Sequence, residues 1–469
     1  MSWHIGVHIG ESFAEVVAKS PATEWFTKRW YLPSENLTIG LQNFWKTLPA
    51  DIDAEIVVTS RLPEKVLERK LGGTVGLLFT SGLEEWAYLR QPLKYDGFEL
   101  VPERQFHLAN SDAVFGITER MNQKGEILEV PQMTELEFIA SKLKMMKIER
   151  VCVNLLFSKT NPAHEIAVGE YLTKEGFIVF LSHHCQGSQH EILRWRLNTL
   201  NACLSGVFEE TKAEIEKSLE GIPIKAEIRF QASTEERFST NGNLVTSSVF
   251  GHLTALASWA KTKVPAPDFS VLHLGLEQFV LLDPFKRVDQ WKSPWGPVAL
   301  EVPEFNSLQI QPTQEITVGS WQCVDFATKD VGYEPGPMCL GRAHRPTLID
   351  LLFASNEEFN VEGLKTLFKP ASREKILSSL STLDRHFSKG HGNPTLIDDL
   401  LTHAAQLILQ DLNFFCTHKK ILLTGALAPT LISRLKRTVA YEFILSEPFD
   451  YCESTALTAP VSSEAEAIL

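Results

Sequence analysis

Cysteine is scarce in this sequence, and the few cysteines that occur are not grouped. The 469 residues contain seven, spread from Cys152 to Cys452, and no two of them form a C-x-x-C pair. Disulfide-stapled secreted domains and structural zinc knuckles both depend on closely spaced cysteines. The spacing therefore argues against both classes, and it predicts that most of these thiols are buried.

Long apolar runs and an excess of basic residues are also missing. No run of about 18 apolar residues occurs, which argues against a membrane-spanning helix. Lys and Arg number 45 against 58 Asp and Glu, for a net charge of −13, so no surface for nucleic-acid phosphates is expected. The first residues lack the features of a secretory signal. We therefore expect a cytoplasmic globular protein that binds neither nucleic acid nor membrane.

What is present is an alternation of helices and strands. Apolar residues recur at helical spacing over 134–147, and the apolar run Val151–Phe157 that follows predicts a buried strand. An amphipathic segment at 163–175 and the apolar run 177–181 repeat this pair. Two such units in succession favour an α/β fold with a parallel, doubly wound sheet.

The two halves of the chain open on similar segments. VHIGESFAEVV at 7–17 and LHLGLEQFVLL at 272–282 both have the order strand, His-x-Gly, acidic residue, strand. This similarity predicts an internal duplication, although two unrelated hairpins would give the same pattern. We place the domains at 1–187 and 188–469, with a long linking helix at 188–219.

Three motifs carry a resemblance that extends along the chain. The most specific is GYEPGPMCLGRAHRPTLIDLLF at 332–353, and it is supported by TSGLEEWAYLRQPL at 80–93 and NPAHEIAVGEYL at 161–172. These segments resemble motifs of the hydantoinase A/5-oxoprolinase family, whose members have the duplicated fold of actin, acetate kinase and sugar kinases. The resemblance implies an α/β protein of two actin-like lobes with a cleft between them.

The resemblance also implies an activity and a set of site residues. Members of the family hydrolyse cyclic amides such as hydantoins or 5-oxoproline, using ATP and Mg²⁺, and a B-type partner subunit or a homo-oligomer is implied here. The positions that match the nucleotide side of the cleft are His8, Gly10, Glu11, Ser12, His273, Gly275, Gly425 and Ala426. The positions that match the substrate side are Thr80, Gly82, Glu85 and Arg90.

Both phosphate hairpins depart from the family's D-x-G-G-T pattern. His8 replaces the first aspartate and Glu11 the second glycine, while HLGLE at 273–277 lacks the aspartate, a glycine and the threonine. Mg²⁺ prefers oxygen ligands, so an imidazole is a poor substitute. The Glu11 side chain would add bulk and negative charge where backbone amides approach a phosphate. We therefore predict weak Mg²⁺ binding and no micromolar affinity for Mg-ATP.

Three hypotheses for function remain open. The chain is an ATP-dependent cyclic-amide hydrolase, as the resemblance implies, or an inactive binding or scaffold homologue. Alternatively it is a metal-dependent enzyme, in which His8 and His273, with Glu11 and Glu277, hold Zn²⁺, Mn²⁺ or Fe²⁺. We favour a relict nucleotide site over this metal site. For His164 and Glu165, at the start of a predicted helix, we expect a structural role rather than a catalytic one.

Overall fold

The computed structural model describes most of the chain. The described residues are 2–68, 75–87, 109–185, 190–239, 246, 248–264, 267–293, 296–313, 316–318, 324–326, 337–340, 346–355, 370–387, 393–437, 440–446 and 451–458. In these parts of the chain no helix is long and apolar enough to cross a membrane.

The described strands are short and occur along the whole chain. Their bounds are β1 Trp3–Ile9, β2 Phe13–Lys19, β3 Trp25–Tyr31, β4 Ile52–Ser60, β5 Val75–Thr80, β6 Val114–Ile117, β7 Arg120–Met121, β8 Ile127–Glu129, β9 Arg150–Asn154, β10 Ile178–Leu181, β11 Ile224–Gln231, β12 Arg237–Phe238, β13 Phe269–Leu274, β14 Phe279–Val288, β15 Trp291–Ser293, β16 Gly296–Val298, β17 Val302–Ser307, β18 Ile316–Val318, β19 Val324–Phe326, β20 Lys420–Thr424 and β21 Glu442–Leu445.

The helices alternate with these strands. Their bounds are α1 Leu37–Trp45, α2 Leu62–Glu68, α3 Met133–Met145, α4 Ala163–Lys174, α5 Glu191–Leu219, α6 Gly251–Lys263, α7 Leu348–Ala354, α8 Pro370–Phe387, α9 Asn393–Phe415, α10 Ala428–Leu435 and α11 Cys452–Leu457. The predicted linking helix is thus α5, and the residues 186–189 just before it lie outside the described residues.

The first lobe is built on a mixed six-stranded sheet. Its order is β12-β11-β4-β1-β2-β3, in which β1, β2 and β3 are antiparallel neighbours while β4 and β11 run parallel to β1. Six of the seven β1 residues are buried, which suits a central strand covered on both faces. Strand β11 belongs to this sheet although it follows the boundary predicted at 187/188. The chain returns to the first lobe after α5.

The second lobe repeats the order of the first. Its five-stranded sheet runs β17-β14-β13-β20-β21, with β13, β14 and β17 antiparallel and β20 and β21 parallel to β13. The hairpins β1–β2 and β13–β14 therefore hold equivalent central positions, followed by equivalent parallel strands. This equivalence confirms the internal duplication predicted from residues 7–17 and 272–282.

A third sheet is all parallel in the order β10-β9-β5-β6. Helices α3 and α4 cover one face through Leu143, Val168 and Leu172, and α5 covers the other through Trp195 and Ala202. This arrangement agrees with the doubly wound core predicted from the helix and strand alternation. It lies between the first lobe's β4 and β11 in the sequence.

The two lobes exchange helices. Helix α6 follows the first lobe's last described strand and packs on β14 and β17 of the second lobe as well as on β4 and β11 of the first. Helix α11 follows the second lobe's last described strand and packs on β1 and β2 of the first. The two helices also contact each other. Apolar side chains from both lobes and both helices share one core that includes Val57, Leu256, Val271 and Leu457. The lobes are thus joined through buried surface.

Candidate functional site between the lobes

Two turns face each other between the lobes, one after β1 and one after β13. The carboxylate of Glu277 in the second turn accepts three hydrogen bonds from backbone N–H groups of the first. Its Oε2 accepts from Glu11 (2.8 Å), and its Oε1 accepts from Ser12 (2.6 Å) and Phe13 (2.8 Å). Consecutive backbone donors that converge in this way form an anion-binding concavity. A carboxylate from one lobe therefore occupies an anion-binding turn in the other.

Arg61 and Gly10 complete the surroundings of this carboxylate. The guanidinium Nη1 of Arg61 lies 3.3 Å from Oε2 of Glu277, so the partly buried negative charge faces a positive one. At Gly10, a Cβ atom would lie only 2.3 Å from Oε2 of Glu277. The absence of a side chain at position 10 is what allows the carboxylate to approach the turn so closely.

The two histidines that replace the family's aspartates are held in the same way. Nδ1 of His8 lies 3.0 Å from Oγ1 of Thr59 on β4, and Nδ1 of His273 lies 3.0 Å from Oγ1 of Thr424 on β20. Because β4 and β20 are equivalent strands of the two sheets, these pairs are related by the duplication. Both imidazoles are buried and are oriented by a threonine of the adjacent parallel strand.

A further side chain contacts each histidine, and the sequence analysis missed both. The ring of His252 packs on His8 with centroids 5.5 Å apart, while Oε1 of Glu453 lies 2.7 Å from Nε2 of His273. His252 and Glu453 are each the second residue of an exchanged helix, α6 or α11. The sequence does hold a signal for this equivalence, because Thr-Ala-Leu recurs at 254–256 and 455–457.

Burial sets the charge of these groups. It lowers the pKa of His8 to about 4, against the opposing effect of the Glu453 and Glu277 charges. It also lowers the pKa of His252 well below its usual range. Burial alone would raise the pKa of Glu453. The charge of the adjacent His273 and its hydrogen bond have the larger effect, and they hold the pKa of Glu453 below its usual value. At neutral pH the cleft thus contains neutral His8 and ionised Glu453.

Little space remains between the two hairpins. The cavity there has a volume of about 30 Å³, and its lining includes His8, Arg61, Glu277, Gln278, Ala426 and Glu453. A water molecule needs about 10–15 Å³ of such volume, so there is room for about two waters.

The structure brings the predicted nucleotide-side residues to this one place. His8, Gly10, Gly275 and Ala426 line the cavity, while Glu11 and Ser12 donate their N–H groups to Glu277, and His273 contacts Glu453. Gly425 has a φ of +96°, and a Cβ there would lie 2.4 Å from the backbone of Leu274. Glycine at 425 thus lets the turn after β20 pack against the end of β13.

The four predicted metal ligands do not form a metal site. Oε2 of Glu11 lies 3.6 Å from Nζ of Lys65, Glu277 is bound to the backbone of the first turn, and both histidine Nδ1 atoms face threonines. Over the described ranges, no group of three or more His, Cys, Asp or Glu side chains is arranged to hold a metal ion. Each of these side chains already has another partner, so holding a metal ion would require them to exchange these contacts.

The predicted substrate-side residues lie on the third sheet. Thr80, the last residue of β5, is buried, donates its hydroxyl to Glu119 and accepts the N–H of Leu156 (2.9 Å). Gly82, with φ of +88°, belongs to the turn that follows β5, and the exposed Glu85 lies in the short 3-10 helix Glu84–Ala87 just after it. Arg90 lies outside the described residues.

His164 and Glu165 are both buried at the start of α4. The Glu165 carboxylate accepts the N–H of Leu155 (2.9 Å), the Ser182 hydroxyl (2.6 Å) and the N–H of His183 (2.9 Å), so it ties together the ends of β9 and β10. Nδ1 of His164 lies 2.6 Å from Oε2 of Glu119, and within the described part of the chain no hydrogen-bond partner lies near its Nε2. These contacts of Glu165 are those of a residue that holds strand ends together, which is the kind of role that the sequence analysis expected for His164 and Glu165.

The most specific sequence motif also has a structural explanation. The buried Asp350 carboxylate accepts the backbone N–H groups of Met338 (2.9 Å), Cys339 (2.8 Å) and Thr347 (2.8 Å). It thereby caps α7 and holds the segment 337–340 against it. Gly332, Pro335, Gly336, Gly341 and Arg342 of the same motif lie outside the described residues.

Comparison with known proteins shows a family similarity over the first part of the chain. The family model of the hydantoinase/oxoprolinase N-terminal region matches residues 4–176, which include β2, all but the first residue of β1, and strands β5, β6 and β9 of the third sheet. Over these residues the chain is hydantoinase/oxoprolinase-like. This similarity agrees with the family resemblance inferred from the motifs.

A curated relative of this hydantoinase/oxoprolinase-like chain is the acetophenone carboxylase gamma subunit of Aromatoleum aromaticum. The two are 28% identical over 158 residues, which cover 30% of this chain. The matched part spans only 21% of that subunit's length.

Two solved structures share the fold over nearly the whole chain. A nucleotide-free structure of acetone carboxylase has a TM-score of 0.77 and 14% identity, and covers 97% of this chain and 70% of its own. The ATP-dependent caprolactamase from Pseudomonas jessenii has a TM-score of 0.72 and 14% identity, with the same two coverages of 97% and 70%. The predicted α/β architecture of two actin-like lobes is thus confirmed.

Proposed function

We propose that this chain is a binding or scaffold member of the hydantoinase/oxoprolinase-like proteins that does not turn over ATP. The observation that carries the proposal is the cavity of about 30 Å³ between the two hairpins, where a nucleotide's phosphates would have to lie. The Glu277 carboxylate of the second lobe lies on the backbone amides of the first turn at this place.

The chemistry of the surrounding groups supports the same proposal. His8 and His273 offer nitrogen where Mg²⁺ requires oxygen. The two closest carboxylates are already engaged, Glu277 by three backbone amides and Glu453 by His273. The residues present therefore do not fit a bound Mg-ATP, and we assign no reaction step to it.

A binding role needs a partner, and a related subunit is the best candidate. The curated relative is itself the subunit of a carboxylase. By analogy, this chain would associate with an active homologue, with a B-type subunit or with a second copy of itself. It would present the third sheet, with the turn after Thr80, to a small-molecule ligand shared with that partner.

Two other hypotheses remain as outcomes of the test. Hydrolysis of a cyclic amide with ATP would require Glu277 to leave the first turn and the lobes to separate. Metal-dependent chemistry at His8 and His273 would require both imidazoles to turn away from Thr59 and Thr424. Neither change has support in the geometry described above.

The test is calorimetric titration of the purified chain with Mg-ATP, followed by a phosphate-release assay with hydantoin and with 5-oxoproline. We expect no binding in the micromolar range and no phosphate release above the protein-free rate. The caprolactamase with its own substrate serves as the positive control. Micromolar Mg-ATP affinity, or substrate-dependent phosphate release, would overturn the proposal in favour of the hydrolase. Stoichiometric zinc, manganese or iron in elemental analysis would favour the metal enzyme.

A further inference from the structure

Two buried hydrogen-bond donors at the carboxyl end of the third sheet have no acceptor. They are the indole Nε1 of Trp195 on α5 and the side-chain Nδ2 of Asn154, the last residue of β9, and within the described part of the chain neither has a hydrogen-bond partner. Trp195 is 2% exposed and Asn154 is fully buried. Because a buried donor without an acceptor loses its hydration and gains nothing in exchange, this pair of donors indicates a place where the acceptor of a ligand can bind.

The two donors belong to one cluster of side chains. Asn154 on β9 is the register partner of Phe79 on β5, and the Phe79 ring is edge-on to the Trp195 ring with centroids 5.3 Å apart. Oδ1 of Asn154 accepts a hydrogen bond of 2.9 Å from Nδ2 of Asn198, which lies about one turn after Trp195 on α5. This bond fixes the orientation of the Asn154 amide, so its NH₂ group is the one that can donate to a ligand.

Aromatic rings surround these donors. Trp86, in the 3-10 helix Glu84–Ala87 that follows β5, is only partly buried, and its ring lies 5.4 Å from that of Trp195. Phe79, Trp86 and Trp195 thus pack together on the side of the sheet that α5 covers. Open parallel sheets bind ligands at the carboxyl ends of their strands, in apolar sites with a few placed polar groups. The cluster matches such a site in its position and in its lining.

We infer that this cluster binds a small, uncharged aromatic molecule that carries a carbonyl oxygen. A carbonyl oxygen has two lone pairs, so it can accept one hydrogen bond from Nε1 of Trp195 and one from Nδ2 of Asn154. The ring of the ligand would pack on Phe79 and Trp195. The inference deepens the proposed function, and it rests on that proposal for the assignment of the third sheet to a small-molecule ligand.

The charges nearby favour an uncharged ligand over an anion. The side chains that share the core with Trp195 are apolar or thiols. Nη1 of Arg194, the preceding residue on α5, also lacks a partner, but Glu191 already pairs with this guanidinium at 3.4 Å. An anion bound beside Trp195 would lose its hydration without an unpaired positive charge in return.

The experiment uses benzamide as the probe, titrated calorimetrically against the purified chain. Two matched compounds each lack one feature, because cyclohexanecarboxamide keeps the carbonyl without the aromatic ring and toluene keeps the ring without the carbonyl. Benzoate is the anionic comparison. We expect benzamide to bind at least tenfold more tightly than each of these three compounds.

Trp195→Phe keeps an aromatic ring in the cluster and removes the indole N–H group. We expect it to bind benzamide about fivefold more weakly than the wild type does, as the loss of one hydrogen bond implies, and to bind toluene equally well. Trp25→Phe, at a 49% exposed position on β3, is the matched control and should bind both compounds as the wild type does.

A second measurement needs no variant and serves if Trp195→Phe does not fold. In the ¹⁵N-labelled wild type, benzamide should move the indole N–H proton signal of Trp195 to lower field, because a new hydrogen bond forms there. Toluene should not produce this downfield shift.

Three results would overturn the inference. The first is benzamide binding no tighter than that of any of the three comparison compounds. The second is a folded Trp195→Phe variant with the benzamide affinity of the wild type, and the third is an indole signal of Trp195 that benzamide does not move. Each leaves the proposed absence of ATP turnover standing, whereas micromolar Mg-ATP binding would contradict that proposal without changing the benzamide result.

Discussion

His8 shows how one substitution changes the character of the cleft. An aspartate at this position would be an oxygen ligand, whereas the imidazole is buried against His252 and oriented by Thr59. Burial lowers its pKa to about 4, so it is neutral over most of the pH range in which the protein is folded. The negative charges of Glu453 and Glu277 raise the pKa of His8, but by less than burial lowers it. The positive charge of Arg61 and the nearby His273 lower it further.

A pH-dependent loss of stability follows from this shift. In the unfolded chain His8 has the ordinary histidine pKa of 6.5, whereas in the folded protein its pKa is about 4. The unfolded state therefore binds the proton more readily. The contribution of His8 to stability is complete above pH 6.5 and is lost as the pH falls toward 4. We expect His8 to account for about 2 kcal/mol of lost unfolding free energy between pH 7 and pH 5. Urea unfolding at the two pH values measures this.

The matched variants are His8→Asn and His4→Asn. His4 lies on the same strand with an exposed side chain. The pH dependence should weaken by about 2 kcal/mol in the first variant and stay at the wild-type value in the second. An unchanged pH dependence in His8→Asn would contradict the assignment of a buried neutral imidazole.

At the scale of elements, the exchanged helices decide how closely the lobes approach. Helix α11 passes so near β1 that only glycine fits at position 6, where a Cβ would lie 2.0 Å from the carbonyl oxygen of Ser454 and 2.9 Å from Cβ of Leu457. The Ser454 hydroxyl lies 3.0 Å from the Glu15 carboxylate, to which it donates. Helix α11 is thus held against the first lobe by close packing and by a buried hydrogen bond.

We expect Gly6→Ala to lower the unfolding free energy by about 1–3 kcal/mol, because the added methyl group forces the backbone of α11 away from β1. Gly206→Ala is the matched control. It lies inside α5, where the nearest atoms to a new Cβ are those of Arg150 at 3.4 Å or more, an ordinary contact. Since alanine is favoured over glycine within a helix, this variant should gain about 0.5–1 kcal/mol. Equal effects of the two substitutions on denaturant unfolding would contradict the close approach.

At the scale of the molecule, the duplication does not produce two independent halves. Hydrogen bonds that join the lobes include Glu277 to the first turn and Ser454 to Glu15. They also include the Arg237 guanidinium, which donates to the carbonyl of Leu457 (3.0 Å). Each element that crosses the boundary also contributes side chains to a core shared by both lobes. Separation of the lobes would expose this core and leave several buried polar groups without partners.

We therefore expect the two lobes to unfold in one transition. Tryptophan fluorescence, which includes Trp30 and Trp45 of the first lobe, should follow the same thermal curve as circular dichroism at 222 nm. Glu15→Gln, which breaks the buried pair with Arg29 (2.7 Å), should lower the unfolding free energy by about 3–5 kcal/mol and shift both curves together. Glu24→Gln, at an exposed position, should shift neither. Two separated transitions would contradict the coupling.

Local pattern in the sequence was enough for much of this protein. The alternation of apolar runs predicted the parallel sheet, the paired His-x-Gly segments predicted the duplication, and the motifs at 80–93, 161–172 and 332–353 indicated the family. The loss of aspartate at positions 8 and 273 was visible at once. These features depend on residue type and on spacing along the chain, which is why they could be found without coordinates.

The tertiary structure decided which groups meet in the cleft. The sequence analysis assigned Glu277 to a metal and the blocking role to Glu11, whereas Glu277 binds amides that lie 264 to 266 residues away. His252 and Glu453 lie in the cleft because helices α6 and α11 lie between the lobes. Strand β11 belongs to the first sheet because the chain returns to that lobe after α5. Such contacts depend on how distant elements pack, and the local periodicity of a sequence does not encode that packing.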